Sequence, residues 1–104
     1  PTDPDELLAT LAITKRSPHG CGGTWITGAI GGHAFEALVF PEHATDPAFE
    51  LGDSRISKLW LRDKATRQEA ACFDRGWDRR PTTPAAKAIV DLLAAGLAET
   101  VFGE

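Results

Sequence analysis

Most of the cationic side chains lie in one stretch, residues 54–78, SRISKLWLRDKATRQEAACFDRGWD, which also carries two of the three tryptophans. Arg55, Lys58, Trp60, Arg62, Arg75 and Trp77, with Arg79 and Arg80 just beyond, make a candidate binding set. Guanidinium and ammonium groups suit phosphate or carboxylate contacts, and indole rings suit stacking on bases or apolar side chains. The competing account is structural. Aromatic pairs are what a sheet needs beneath a helix, and arginine stems commonly cover such rings. Burial of both Trp60 and Trp77 would abolish the platform.

Other reactive residues assemble less well. Asp53, Asp74 and Asp78 could support general acid–base work or hold magnesium, but no histidine, nucleophile motif or glycine-rich phosphate loop stands beside them. Pairing of Asp74 with Arg55 or Arg62 across strands, and a turn capped by Asp78, is the plainer account. His19 and Cys21 form a local pair that would need Cys72, His33 or His43 to close a tetrahedral zinc site. No CxxC or HxxxH spacing accompanies them, so neither a metal nor a cofactor is expected. Cys21 and Cys72 are the only cysteines, and their spacing asks for no disulfide, which fits a reducing compartment.

Charge narrows the classes further. Residues 55–80 hold eight basic and four acidic side chains, a balance of +4, whereas the rest holds three basic and eleven acidic, a balance of −8. Such polarity bears on partners and solubility. With 42% hydrophobic residues in 104, the chain predicts a single domain, 1–104. No apolar run reaches the roughly 18 residues of a membrane span, and the start lacks a secretory pattern, so a soluble cytoplasmic protein with no membrane partner is expected.

The elements that must position these residues follow from turn chemistry and periodicity. Asp3, Pro4 and Glu6 mark a helix start, and a short helix extends to about Ala12. KRSPHGCGG, residues 15–23, predicts a flexible linker, making 1–22 a helix plus connector. Residues 23–40 predict a hairpin turning on Gly31-Gly32, with Ile30 facing His33, Gly28 facing Phe35, Ile26 facing Ala37 and Thr24 facing Val39 on an inward apolar face. Trp25 with Leu38 and Thr27 with Glu36 fall on the other face, which implies partial cover there. Pro41 to Asp53 predicts a loop. Two further strands are expected at 54–62 and 68–77, the first with Ile56, Lys58 and Trp60 on one side, the second with Phe73, Arg75 and Trp77 together. Thr83 and Pro84 open a long C-terminal helix to about Phe102, in which Gly96 suggests a close approach. The expected fold is α+β: residues 23–104 as a four-stranded antiparallel meander with the long helix packed on one face, preceded by the short N-terminal helix.

RISKLWLRD (55–63), FDRGWD (73–78) and the hairpin GTWITGAIGGHAFEALVF resemble a group of short uncharacterised domains associated with phages, plasmids and other mobile bacterial elements. The likeness covers about Thr24 to Leu97 and implies a compact α+β module, with no catalytic or ligand residues to carry over. The functional expectation is a non-enzymatic interaction module, an accessory or anti-defence protein that binds a protein partner and is monomeric or homodimeric. Two alternatives stay open: weak nucleic-acid binding through the basic aromatic sheet face, and a small metal-dependent hydrolase.

Overall fold

Asp3 stops the chain short of helical geometry (φ −68°, ψ 122°) and its carboxylate accepts from the Asp5 N–H, after which Pro4–Ala9 forms helix α1. The fold is described here from a computed structural model covering residues 3–18, 22–46, 48, 50–51 and 54–102. The Thr10 hydroxyl donates to the Leu7 carbonyl (2.7 Å) and accepts from the Gly31 N–H (2.9 Å). This ties the end of α1 to a hairpin turn some twenty residues away. Leu7 is thereby held in the core, 1% exposed.

Ala12–Pro18 is strand β1, followed by β2 at Thr24–Ile30 and β3 at His33–Val39. The β2–β3 register is the one the paired glycines predict: Ile30 faces His33, Gly28 Phe35, Ile26 Ala37 and Thr24 Val39. Gly31 and Gly32 both have positive φ (56° and 76°), the geometry that matches hairpin twist. Strand β4 covers Ile56–Asp63, β5 Glu69–Asp74 and β6 Trp77–Arg79, and helix α2 runs from Pro84 to Phe102. The six strands form one antiparallel sheet in sequence order.

The sheet therefore has six strands where the sequence predicts four, for two local reasons. The first part of the segment read as a linker, Lys15 to Pro18, pairs along β2 as the continuation of a strand that starts at Ala12. It carries Lys15, Arg16 and Pro18 because it is an edge, where charge and proline guard open hydrogen-bonding groups. The strand expected at 68–77 is broken at Arg75 and Gly76, both with positive φ (53° and 148°), so Trp77–Arg79 folds back as β6. The N-terminal helix is also shorter than expected, with Ala12 already in β1. His19, Cys21 and Asp53 lie outside the described residues.

One sheet face meets α2. Ile26, Phe35, Ala37, Ile56, Leu59 and Leu61 are each no more than 1% exposed and pack with Ile89, Leu93 and Leu97 of the helix. Each large side chain removed from water contributes roughly 1.5–3 kcal/mol. The β3–β4 register slips between Leu38 and Val39, leaving Ser57 as an extra residue. This bulge turns Ile56 inward beside Leu59, against the alternation expected from sequence. Thr83 caps α2 by accepting from the Ala86 N–H at 3.0 Å.

Candidate functional site

The face turned away from α2 is ordered by cross-strand register into rows. One row runs Ser17, Trp25, Leu38, Lys58, Asp74, and the next Lys15, Thr27, Glu36, Trp60, Cys72, Arg79; a third passes from Ala29 through Ala34 and Arg62 to Glu69. Trp25 and Trp60 are half-buried here, on the face opposite the one that packs against α2. Pairing across the sheet also fixes where the remaining indole goes. Trp77 stands opposite Phe73 in an inward row, and the two rings meet edge to face at 5.2 Å.

The predicted binding residues are consequently divided. Lys58, Trp60, Arg62 and Arg79 share the outer face, and the Arg62 guanidinium lies 5.3 Å from the centre of the Trp60 ring. Trp77 belongs to the opposite side, where Arg80 covers its ring at 5.7 Å. Arg75 occupies the β5–β6 turn beside Asp74. Arg55 is 7% exposed and has a positive φ of 63°. Its Nη1 donates to the Pro41 carbonyl at 2.8 Å, its Nη2 lies 3.8 Å from Glu99 Oε1, and its guanidinium sits 5.9 Å from the Phe102 ring centre. Arg55 thus braces the segment after β3 against the end of α2.

Pairing also lowers the net charge of the face. Lys58 lies 3.7 Å from Asp74, and Arg79 lies 3.8 Å from Glu69. The cationic excess legible in 55–80 is spread over both faces and two turns, and on the outer face it is interleaved with Glu36, Glu69 and Asp74.

What sequence reading missed is the wall of a groove. The segment from Phe40 to Thr45, together with Trp25, Leu38, Ser57, Lys58 and Arg75, lines an open space of about 620 Å³. A shallower hollow of about 270 Å³ lies between Trp25, Lys58, Trp60 and Cys72. Trp25 and Lys58 line both, so the two hollows adjoin along the outer face as a two-part trough. The wall is held by Glu50, whose side chain is only 5% exposed. Its carboxylate accepts from the Ala44 N–H at 2.7 Å and lies 2.8 Å from His43 Nδ1. Burial pushes the Glu50 carboxyl upward, but hydrogen bonds from His43, Ala44 and the Arg55 backbone outweigh it and hold the group below its ordinary value of 4.5. The only signal in the sequence was an acid within a loop of mixed composition, which does not distinguish a buried anchor from a solvated side chain.

Cys72 lies at the shallow end. Burial, with Glu69, Asp78 and Asp74 nearby, pushes its thiol from 9.0 up to about 11, so it is a poor nucleophile at neutral pH. Asp74 is engaged by Lys58 and Arg75, and Asp78 Oδ2 lies 4.0 Å from the Cys72 sulfur. Among the described residues no three His, Cys, Asp or Glu side chains are placed to hold a metal ion. No helix among them is long and apolar enough to cross a membrane.

Fold and trough together define an α+β domain in which a six-stranded meander is backed by one long helix and, among the described residues, carries no helix on its other face. The chain belongs to the family described as a domain of unknown function, DUF7678, whose match covers residues 24–98 and leaves out α1 and β1. Comparison with curated proteins gives no match, and comparison with solved structures gives none.

Proposed function

We propose that this protein is a non-enzymatic interaction module that receives a protein partner on the outer face of its sheet. The observation that carries the reading is the pair of neighbouring hollows on the face opposite α2, which share Trp25 and Lys58 and reach from the 40–45 segment to Trp60. Aromatic side chains supply large contact areas at low entropic cost, and they concentrate at recognition surfaces. The charges point the same way. Phosphate-backbone binding draws its affinity from several unopposed cations that release counterions, whereas this face interleaves Lys58, Arg62 and Arg79 with carboxylates. Hydrolysis by carboxylates is disfavoured in turn, because Asp74 already faces two cations. The likeness of the RISKLWLRD and FDRGWD blocks to domains of mobile bacterial elements gives the partner its setting: a host or element-encoded protein bound by an accessory or anti-defence factor.

A photo-crosslinking residue at Glu36, on the outer face, and another at Asp91, on the exposed side of α2, test this in the native cell. A discrete protein adduct should form from position 36, be lost with Trp60→Ala, and be absent from position 91. Equal adducts from both positions, or adducts to nucleic acid that vanish with modest salt, would refute it.

A further inference from the structure

The deep end of the trough has a polarity that specifies what it can seat. Lys58 Nζ and Arg75 Nε stand 3.7 and 3.9 Å from the same atom, Asp74 Oδ1. Both separations exceed the roughly 2.7–3.2 Å of a hydrogen bond. An ammonium has three donors and a guanidinium five, so a single carboxylate oxygen at this range leaves the two cations able to bind another acid. Trp25, Leu38 and Phe40 line the same space with apolar surface, and Glu42 lines it as well. An occupant is thus favoured with its carboxylate toward Lys58 and Arg75 and its apolar side chain over Trp25, while Glu42 disfavours a second acid. A second hollow adjoins it across Trp25 and Lys58 and reaches Trp60, which suits a chain segment laid over both more than a compact small molecule.

We infer that the groove beneath the 40–45 wall binds an extended partner segment in which Asp or Glu stands next to a large apolar residue. The inference rests on the outer face being the recognition surface and adds the chemistry of what it recognises. Lys58 and Arg75 seat the acid; Trp25, Leu38 and Phe40 seat its apolar neighbour. Neither cation belongs to the core, as Lys58 and Arg75 side chains are 37% and 61% exposed, so their charges can be reversed in a folded protein.

The test is selection of a displayed random peptide library on the full chain and on a Lys58→Glu/Arg75→Glu variant shown by circular dichroism to be folded. Peptides won on the original chain should be enriched in Asp or Glu beside Phe, Leu or Trp. A labelled winner should bind the variant at least roughly tenfold more weakly, a loss of about 1.4 kcal/mol. Changing its acid to Lys should reverse the preference. Winners without an acid, or affinity unmoved by charge reversal, would overturn the inference, as would displacement of the peptide by a single-stranded oligonucleotide with the steep salt dependence of phosphate binding. If adducts from position 36 persist while peptides ignore charge, only the acid seat falls; loss of both removes the recognition face itself.

Discussion

Glu50 is the residue on which the shape of the groove depends, because one buried carboxylate organises Ala44, His43 and the Arg55 backbone. Its folded pKa lies below the ordinary 4.5. The stabilisation it gives is therefore complete above that value and fades as pH falls through the lower folded one. Glu50→Ala should cost about 2 kcal/mol at neutral pH, the range for hydrogen bonds to a charged group, measured by urea unfolding. It should also flatten the acid side of the stability–pH curve; an unchanged acid side would show that Glu50 is not the anchor. Cys72 gives a second residue-level test. With its thiol pushed from 9.0 to about 11, the thiolate fraction at neutral pH falls about a hundredfold. In a Cys21→Ser background, iodoacetamide should alkylate folded Cys72 roughly tenfold to a hundredfold more slowly than the urea-unfolded chain, and equal rates would contradict the environment described. Neither residue was distinguishable in the sequence: Glu50 had no periodic neighbours, and Cys72 was an ordinary strand residue. Lys58, Trp60, Arg62 and Arg79 were legible as a cationic, aromatic set. That Trp77 lies on the other face was not, because no residue type marks the β4–β5 register that sets Phe73, and Trp77 with it, beside Leu59 and leaves Cys72 beside Trp60.

Among the elements, α2 offers the sharpest correction. Gly96 predicted a close approach at that point of the helix, yet a Cβ added there would meet nothing within 4 Å. Its glycine is then only a weakness in the helix, and Gly96→Ala should raise stability by about 0.5–1 kcal/mol, seen as a higher urea midpoint at unchanged slope. A loss of stability would restore the packing explanation. Gly28 is the opposite case, since an added Cβ would stand 2.4 Å from the Ala12 carbonyl oxygen, where β1 crosses. The contrast shows what sequence carries at this scale. The β2–β3 hairpin was legible to the residue because Gly31-Gly32 fixed its turn and Ile26, Phe35 and Ala37 kept a period of two. Strand β1 was not, because Lys15, Arg16, Ser17 and Pro18 look like a linker when their only role is to pair and shield an edge. The bulge at Ser57 was equally silent, as no residue type demands it.

At the scale of the molecule, α1 and β1 stand outside the family's span but complete both its core and its sheet. Leu7 fills a site against Gly31, where an added Cβ would come 2.6 Å from it and 3.2 Å from Ile89, and β1 pairs along β2 from Thr24 to Ala29. With them in place the sheet ends in a strand bearing Lys15, Arg16 and Pro18 on one side and a three-residue strand, β6, on the other. Short, charged or proline-bearing edges resist strand addition. A chain beginning at Thr24 would lose the Leu7 side chain from its core, by itself worth about 2–5 kcal/mol when truncated, and would present β2 as a bare edge flanked by Ile26 and Ile30. The full chain should therefore sediment as a monomer over a wide concentration range, and the truncated one should be less stable by about 3 kcal/mol or more and self-associate as concentration rises. If the truncated chain remained monomeric and equally stable, the N-terminal segment would be an ornament on a self-sufficient domain; if the full chain dimerised, one blunted edge or the outer trough would have to be the contact, and crosslinking from Glu36 between copies would tell which.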